Sequence, residues 1–300
     1  MRILLTGGAG FLGSHVHDRL REHDVFVPRS AEYDLTDPAD VECAFIESRP
    51  EAVIHLAAAC GGIGANQREP GRFWYANTVM GALVLDACRR YGVGKTVVVG
   101  TTCSYPKRCP APFNEANIWD GYPEETNAAY GIAKRTLLAG CMAYRQQYGL
   151  NVTYLVPANL YGPRDNFDPA TSHVIPAVIR KLSTGDAVLW GDGSATRDFL
   201  YVCDAADAVV AALGWDVDLV NIGSGEAVSI REVAQMIAAA VGYDGPIYWD
   251  TTKPNGQPFR CLDTTLARSL GWTAKVPIAD GIRRTVKWWR ARTQAGLVDR

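Results

Sequence analysis

Arg2-Ile3-Leu4-Leu5-Thr6-Gly7-Gly8-Ala9-Gly10-Phe11-Leu12-Gly13 opens the chain, and a helical stretch from Ser14 to Arg21 follows it directly. An apolar run, a glycine turn and a helix in immediate succession form one supersecondary unit. The glycines let the backbone approach a pyrophosphate, while the N–H groups and dipole of the helix N-terminus stabilise its charge. The spacing is GxxGxxG rather than GxGxxG, and its place between a strand and a helix makes it a strong dinucleotide signal.

The second strand, Asp24 to Val27, ends at Pro28-Arg29-Ser30, where an NAD enzyme places an acid for the adenosine ribose. Arg29 and Ser30 instead offer a cation and a hydroxyl to a 2′-phosphate, which favours NADP(H); a solvated arginine in a turn is the alternative. Ala52 to Ala57 and Thr96 to Gly100 read as further strands, continuous and rich in Val and Ile, as strands buried on both faces are. Helical stretches lie near Pro38 to Glu47, Phe73 to Tyr91 and Ala128 to Tyr148. Alternating β and α predicts an α/β fold with a doubly wound parallel sheet of the Rossmann type, whose ligands bind beyond the strand carboxyl ends.

After a strand from Thr153 to Ala158, Asn159-Leu160-Tyr161-Gly162-Pro163 ends the regular alternation. A smaller C-terminal α/β substrate domain is expected beyond it. Residues 1–163, with 198–222, are assigned to the dinucleotide-binding domain, and 164–197 with 223–300 to the substrate domain. Within the second, a helix runs to about Leu182. Ser229-Ile230-Arg231-Glu232 is a capping box that opens a helix to Val241, and an amphipathic helix near Ala279 to Arg292 closes the chain.

Three hundred residues with 48% hydrophobic content bury a sizeable core. Thirty basic against 32 acidic residues give a net charge of −2 with no basic block, which argues against nucleic acid and an anionic membrane as partners. The apolar runs are too short to span a bilayer and the N-terminus lacks a signal-peptide layout, so a cytoplasmic protein is expected. Eight cysteines, Cys43, Cys60, Cys88, Cys103, Cys109, Cys141, Cys203 and Cys261, contain no CxxC pair, which suggests neither a disulfide framework nor a metal site.

The chemistry concentrates between Gly100 and Lys134. Tyr130 and Lys134 lie four apart in a proline-free helical run, on one face. An ammonium beside a phenol stabilises the phenolate and moves its pKa from about 10 toward neutrality. Taken alone, YxxxK is common on half-exposed helices. Thr101-Thr102-Cys103 adds hydroxyls and a thiol at the end of the fourth strand.

Taken together, Thr6 to Gly13, the Tyr130/Lys134 pair and a hydroxyl after the fourth parallel strand resemble the extended short-chain dehydrogenase/reductases that act on nucleotide sugars. Within that superfamily the chain is most similar to the GDP-L-fucose synthase family. The matching residues are Gly61-Gly62-Ile63, Cys103-Ser104-Tyr105-Pro106-Lys107, Asn159 to Pro163, Asp165-Asn166-Phe167, Ser172-His173-Val174-Ile175-Pro176-Ala177, Trp190-Gly191 and Lys253-Pro254. Two departures stand out: Thr101-Thr102 replaces a serine pair, and Cys60 replaces a basic residue in a loop one residue shorter.

That resemblance implies an NADPH-dependent 3,5-epimerase and 4-reductase converting a GDP-4-keto-6-deoxy-hexose to a GDP-6-deoxy-L-hexose such as GDP-L-fucose. It gives Thr101, Tyr130 and Lys134 the reduction, Cys103 the role of base and His173 that of acid in epimerisation. Cofactor contacts fall to Gly7, Gly10, Phe11, Leu12, Gly13, Arg29, Ser30, Ala57, Ala58, Tyr130, Lys134, Pro157, Asn159, Leu160 and His173. Substrate contacts fall to Asn159, Val174, Lys181, Trp190, Arg197 and Lys253. It also implies a homodimer paired through the helices near 73–91 and 128–148. A 4-ketoreductase or epimerase of another NDP-4-keto-6-deoxy sugar shares these motifs; a non-catalytic NADP-sensing protein would not need the Tyr/Lys pair and hydroxyl.

Because Arg29 stands where an acid selects NAD, NADPH is expected to bind more tightly than NADH. Arg29→Ala should lose most of that preference, by about tenfold to a hundredfold, the worth of one charge-assisted hydrogen bond. Fluorescence titration with both cofactors measures it, and equal affinity in the unmodified protein would refute the assignment.

Overall fold

A computed structural model describes residues 1–253 and 256–296; Pro254, quoted among the motifs above, lies outside them. The chain alternates β1 (Arg2–Thr6), α1 (Phe11–Arg19), β2 (Asp24–Phe26), α2 (Pro38–Ser48), β3 (Ala52–His55), α3 (Ile63–Arg68), α4 (Pro70–Arg90), β4 (Lys95–Val99), α5 (Ala128–Tyr148) and β5 (Val152–Pro157). It continues with β6 (Asn159–Tyr161), α6 (Val174–Thr184), β7 (Val188–Trp190), β8 (Thr196–Tyr201), α7 (Val202–Ala211) and β9 (Leu219–Ile222). The remainder is β10 (Ala227–Ser229), α8 (Ile230–Val241), β11 (Tyr248–Asp250), β12 (Phe259–Arg260), α9 (Thr265–Ser269) and α10 (Ile278–Gln294).

Six strands pair in the order β2-β1-β3-β4-β5-β9, all parallel. β3, β4 and β5 are buried along their whole length, which explains why apolar residues dominate both faces of each strand instead of alternating with polar ones. The order reverses direction at β1, between β2 and β3. The loops after β1 and β3 therefore diverge and open a crevice at the carboxyl edge. Gly7 makes that turn at φ +70°, and a Cβ there would lie 2.7 Å from the Ala57 nitrogen, so only glycine fits.

A second lobe is built on β8, which pairs with β6 and β12 in parallel and β10 antiparallel; β7 and β11 form a separate parallel pair. Its core gathers Phe167, Ile175, Ile179, Leu182, Val233, Ile237, Val286 and Trp289. Phe167 and Trp289 stack with ring centroids 4.2 Å apart. The capping box at Ser229 is formed, with both reciprocal bonds present.

Helix positions agree with the sequence reading to within a few residues, but the lobe boundaries do not. β6, expected in the first domain, and residues 198–201, assigned there, pair within the second sheet. In the other direction, Leu262, Ala267 and Trp272 pack into the core of the first lobe, although 223–300 was assigned to the second. Backbone bonds from Phe113 to Cys261 and from Asp263 to Phe113 seat that return. α9 packs against β9, a contact between segments far apart in sequence that local patterning does not reveal. Among the described residues, no helix is long and apolar enough to cross a membrane.

At the base of the crevice, His55 on β3 is fully enclosed and its Nδ1 lies 2.8 Å from the Thr6 hydroxyl on β1. Burial, reinforced by Lys134, lowers its pKa from the usual 6.5 to about 3. The folded state thus refuses a proton that the unfolded chain accepts. This contribution to stability is intact above pH 6.5 and is lost progressively as pH falls toward 3. Near pH 5 the stability of the unmodified chain should fall faster than that of His55→Gln by about 1.4 kcal/mol per pH unit, the value for one proton. Urea midpoints measured at intervals from pH 7 to pH 4 test this; parallel slopes would contradict it.

Candidate active site

The crevice deepens into a cleft of about 1260 Å³ between the lobes. That exceeds the roughly 300–1,000 Å³ of a pocket for one small ligand and has room for two side by side. One end is the glycine turn, with Gly7, Gly10, Phe11, Leu12, Gly13, Arg29, Ser30, Ala57 and Ala58 along its wall. The Gly7 cradle, which any Cβ would fill, and the helix start behind Gly10 suit a dinucleotide's diphosphate. Arg29 is exposed on the cleft wall, where a guanidinium can meet a phosphate, and its carbonyl closes a turn by accepting from the Glu32 and Tyr33 N–H groups.

At the far end, β4 runs out into Gly100 and a single 3-10 turn, Thr102–Ser104. Thr101 caps this turn: its hydroxyl oxygen accepts the Cys103 N–H at 3.2 Å. Helix α5 lies directly on it. A Cβ at Gly131 would come within 2.2 Å of the Cys103 carbonyl, and the Ser104 hydroxyl donates to the Gly131 carbonyl at 3.1 Å. The approach brings Tyr130 to Thr101 and sets the Tyr130 ring edge-on to Phe73 at 6.5 Å.

Lys134, one turn further along α5, is buried and donates to the Val99 carbonyl at 3.0 Å. Burial lowers its pKa to about 8. Burial raises the Tyr130 pKa well above 10, the nearby Cys60 and Cys103 thiols add to the rise, and the Thr101 hydroxyl opposes it. The sequence reading had Lys134 moving the phenol toward neutrality, and here desolvation prevails. The consequence is a phenol held protonated, which is the form that donates to a developing alkoxide.

Cys103 faces the same cleft, as does His173, the residue just before α6. The imidazole makes no capping bond and stays accessible from the cleft, while the walls around it lower its pKa by burial. A histidine so placed is neutral at rest and, once protonated, a stronger acid than a free one. Sequence reasoning missed Arg260. This buried guanidinium on β12 donates through Nη1 to the Cys103 sulfur at 3.8 Å and stands in register with Arg197 on β8. Burial, then Arg260, lowers the Arg197 pKa to about 10. Two adjacent guanidiniums lining a cleft favour an anionic ligand.

Pro157, Asn159, Leu160, Val174 and Trp190 line the cleft. Trp190 is 65% exposed, and the Lys253 ammonium sits 5.7 Å from its ring centroid. Lys181 does not join them: its ammonium donates to the Val188 carbonyl at 2.6 Å and pairs with Asp186, a local anchor between α6 and β7. Gln257, Glu124 and Asn127 are further lining residues that no local pattern signalled. Near Cys60, Asp165 is buried with one carboxylate oxygen unpaired, and burial raises its pKa to about 7.

Residues 3–223 match the NAD dependent epimerase/dehydratase family. GDP-L-fucose synthase 1 of Arabidopsis thaliana is 40% identical over 299 residues, covering 96% of this chain and 93% of that protein. Among solved structures, a UDP-glucose 4-epimerase from Thermotoga maritima with UDP-glucose superposes with a TM-score of 0.90 at 30% identity, over 98% of this chain and 100% of that one. A GDP-L-fucose synthetase from Naegleria fowleri bound to NADP gives 0.89 at 28% identity, over 99% and 96%. A dinucleotide cradle, a capped Thr-Thr-Cys turn against a Tyr/Lys helix, and similarity along nearly the whole chain agree: this chain belongs to the NAD dependent epimerase/dehydratase family, in the group that contains the GDP-L-fucose synthases.

Proposed function

We propose that the chain is an NADPH-dependent 3,5-epimerase and 4-reductase that converts a GDP-4-keto-6-deoxy-hexose to a GDP-6-deoxy-L-hexose such as GDP-L-fucose. The observation that supports it most is the convergence of Thr101, Cys103, Tyr130, Lys134 and His173 on one cleft that also contains the glycine turn. Gly7 to Gly13, Arg29, Ser30 and Lys134 would hold the cofactor. When bound, NADPH supplies the hydride that C4 receives.

The residues handle protons in two stages. Cys103 takes a proton from C3 or C5, each acidified by the neighbouring ketone, and His173 returns one from the other face. Charge then develops on the C4 oxygen as the ketone is reduced, and the Thr101 hydroxyl and the protonated Tyr130 phenol meet it with hydrogen bonds. Tyr130 transfers its proton to that oxygen. Arg197 anchors the diphosphate and Trp190, with Lys253 over it, offers an aromatic face to the base.

A homodimer and a cytoplasmic location are part of the same proposal. Helices α4 and α5 pack together and leave Tyr75, Ala82, Thr136, Ala139, Met142 and Ala143 outward, a mostly small and apolar face for a two-fold partner. Light scattering at micromolar concentration should give a mass near twice the 32.6 kDa of the chain. A monomeric mass would remove the dimer.

Two variants separate the stages. Cys103→Ser should stop solvent-deuterium exchange at C3 and C5 yet still reduce the unepimerised 4-keto sugar with NADPH. Tyr130→Phe should leave the exchange and slow NADPH oxidation by roughly 100-fold to 10,000-fold, the loss typical of a positioned general acid. Mass spectrometry of the sugar and absorbance of NADPH read the two outcomes. If Cys103→Ser exchanged and epimerised normally, the thiol would be packing and the chain a 4-ketoreductase.

A further inference from the structure

The guanidinium of Arg260 is held on three sides. Its Nε and Nη2 donate to the Gln257 side-chain oxygen at 3.2 and 2.9 Å, and the Gln257 amide donates in turn to the Lys107 carbonyl at 2.9 Å. The remaining nitrogen, Nη1, points at Thr102 Oγ1, 3.4 Å away, and at the Cys103 sulfur, 3.8 Å away. These partners are an amide oxygen, a hydroxyl and a cysteine sulfur, and none of them is a carboxylate. Arg260 is only 9% exposed, so its charge has little water to screen it.

Gln257 and Arg260 both line the cleft, and the Gln257–Lys107 bond joins the segment leading into β12 to the loop just beyond the catalytic turn. A cation in such a place acts on the nearest polarisable, ionisable atom, and that atom is sulfur. Nothing in an anchor for substrate phosphate requires a guanidinium to be clamped against a thiol.

We propose that Arg260 is a positioning residue for proton abstraction by Cys103. Clamped by Gln257, it orients the sulfur toward the cleft and holds the negative charge that the sulfur carries before it takes the C3 or C5 proton, becoming a neutral thiol as the substrate becomes an enolate. This deepens the epimerase reading of Cys103 and rests on it.

The test begins without substrate. Iodoacetamide alkylation of Cys103 at pH 7, followed by peptide mass spectrometry, should slow by about tenfold or more in Arg260→Gln, the effect of losing one charge-assisted bond to sulfur. Arg260→Lys, which keeps the charge and loses the fork, should recover part of the rate. Should Arg260→Gln fail to fold, Gln257→Leu loosens the clamp alone and should slow alkylation severalfold. Alkylation unchanged in the folded variants, with only a raised KM for the nucleotide sugar, overturns the proposal and makes Arg260 a phosphate anchor. Deuterium exchange at C3 and C5 forms the second arm, and should fall in parallel with alkylation. An unmodified chain that alkylates rapidly at Cys103 yet exchanges no deuterium overturns the epimerase reading instead.

Discussion

The contact of α5 with the turn after β4 is the constraint on which the rest of the site depends. Its closeness requires glycine at 131, because a Cβ would enter the Cys103 carbonyl. Around that point the two elements are sewn together: Ser104 bonds to Gly131, Arg135 Nε donates to the Ser104 carbonyl at 2.9 Å, and the Tyr154 hydroxyl on β5 donates to the Lys134 carbonyl at 2.8 Å. A hydroxyl, a thiol, a phenol and an ammonium thereby acquire one geometry from a helix and a strand end. Such placement matters because displacement of a reacting group by about 1 Å costs on the order of a hundredfold in rate.

Electrostatics divides the cleft into two halves with opposite tendencies. On the side of α5, desolvation keeps Tyr130 protonated and lowers the Lys134 pKa to about 8, so the phenol is neutral and the lysine gives up its proton more readily than a free one. On the side of β8 and β12, Arg197 and Arg260 bring two guanidiniums beside Cys103. A protonated phenol thus lies on one wall of the cleft, and two guanidiniums lie on the other. The two chemistries proposed for this site need those two environments, and the lobes supply one each.

The lobes are interleaved rather than consecutive. β6 leaves the first sheet immediately after β5, and the chain returns at α7 and β9, then again at Leu262 to Trp272. Each crossing passes the cleft, which is why its lining draws on segments from Gly7 to Arg260. Asp198 stabilises one crossing: buried to 1% exposure, its carboxylate accepts from the Ser224 N–H and hydroxyl, the Gly225 N–H and the Leu262 N–H. Beside it in sequence, Arg197 is carried into the cleft by the same strand.

The amino-acid sequence by itself determined what short-range rules govern. The glycine turn between strand and helix, the parallel buried strands, the capped helix at Ser229 and the pairing of Tyr130 with Lys134 follow from periods of 3.6 and of continuous burial, from residues a few positions apart. Their resemblance to a family then pointed to Cys103 and His173, which the fold does bring to one cleft. Tertiary structure alone decided the rest. Arg260 meets Cys103 across 157 positions because β12, a strand of two residues, pairs with β8, and no local pattern marks so short a strand. Lys181 turns away because Asp186 and the Val188 carbonyl are nearer than the cleft. The Tyr130 proton is held by burial, which is a property of everything packed around the phenol and not of the lysine four residues along.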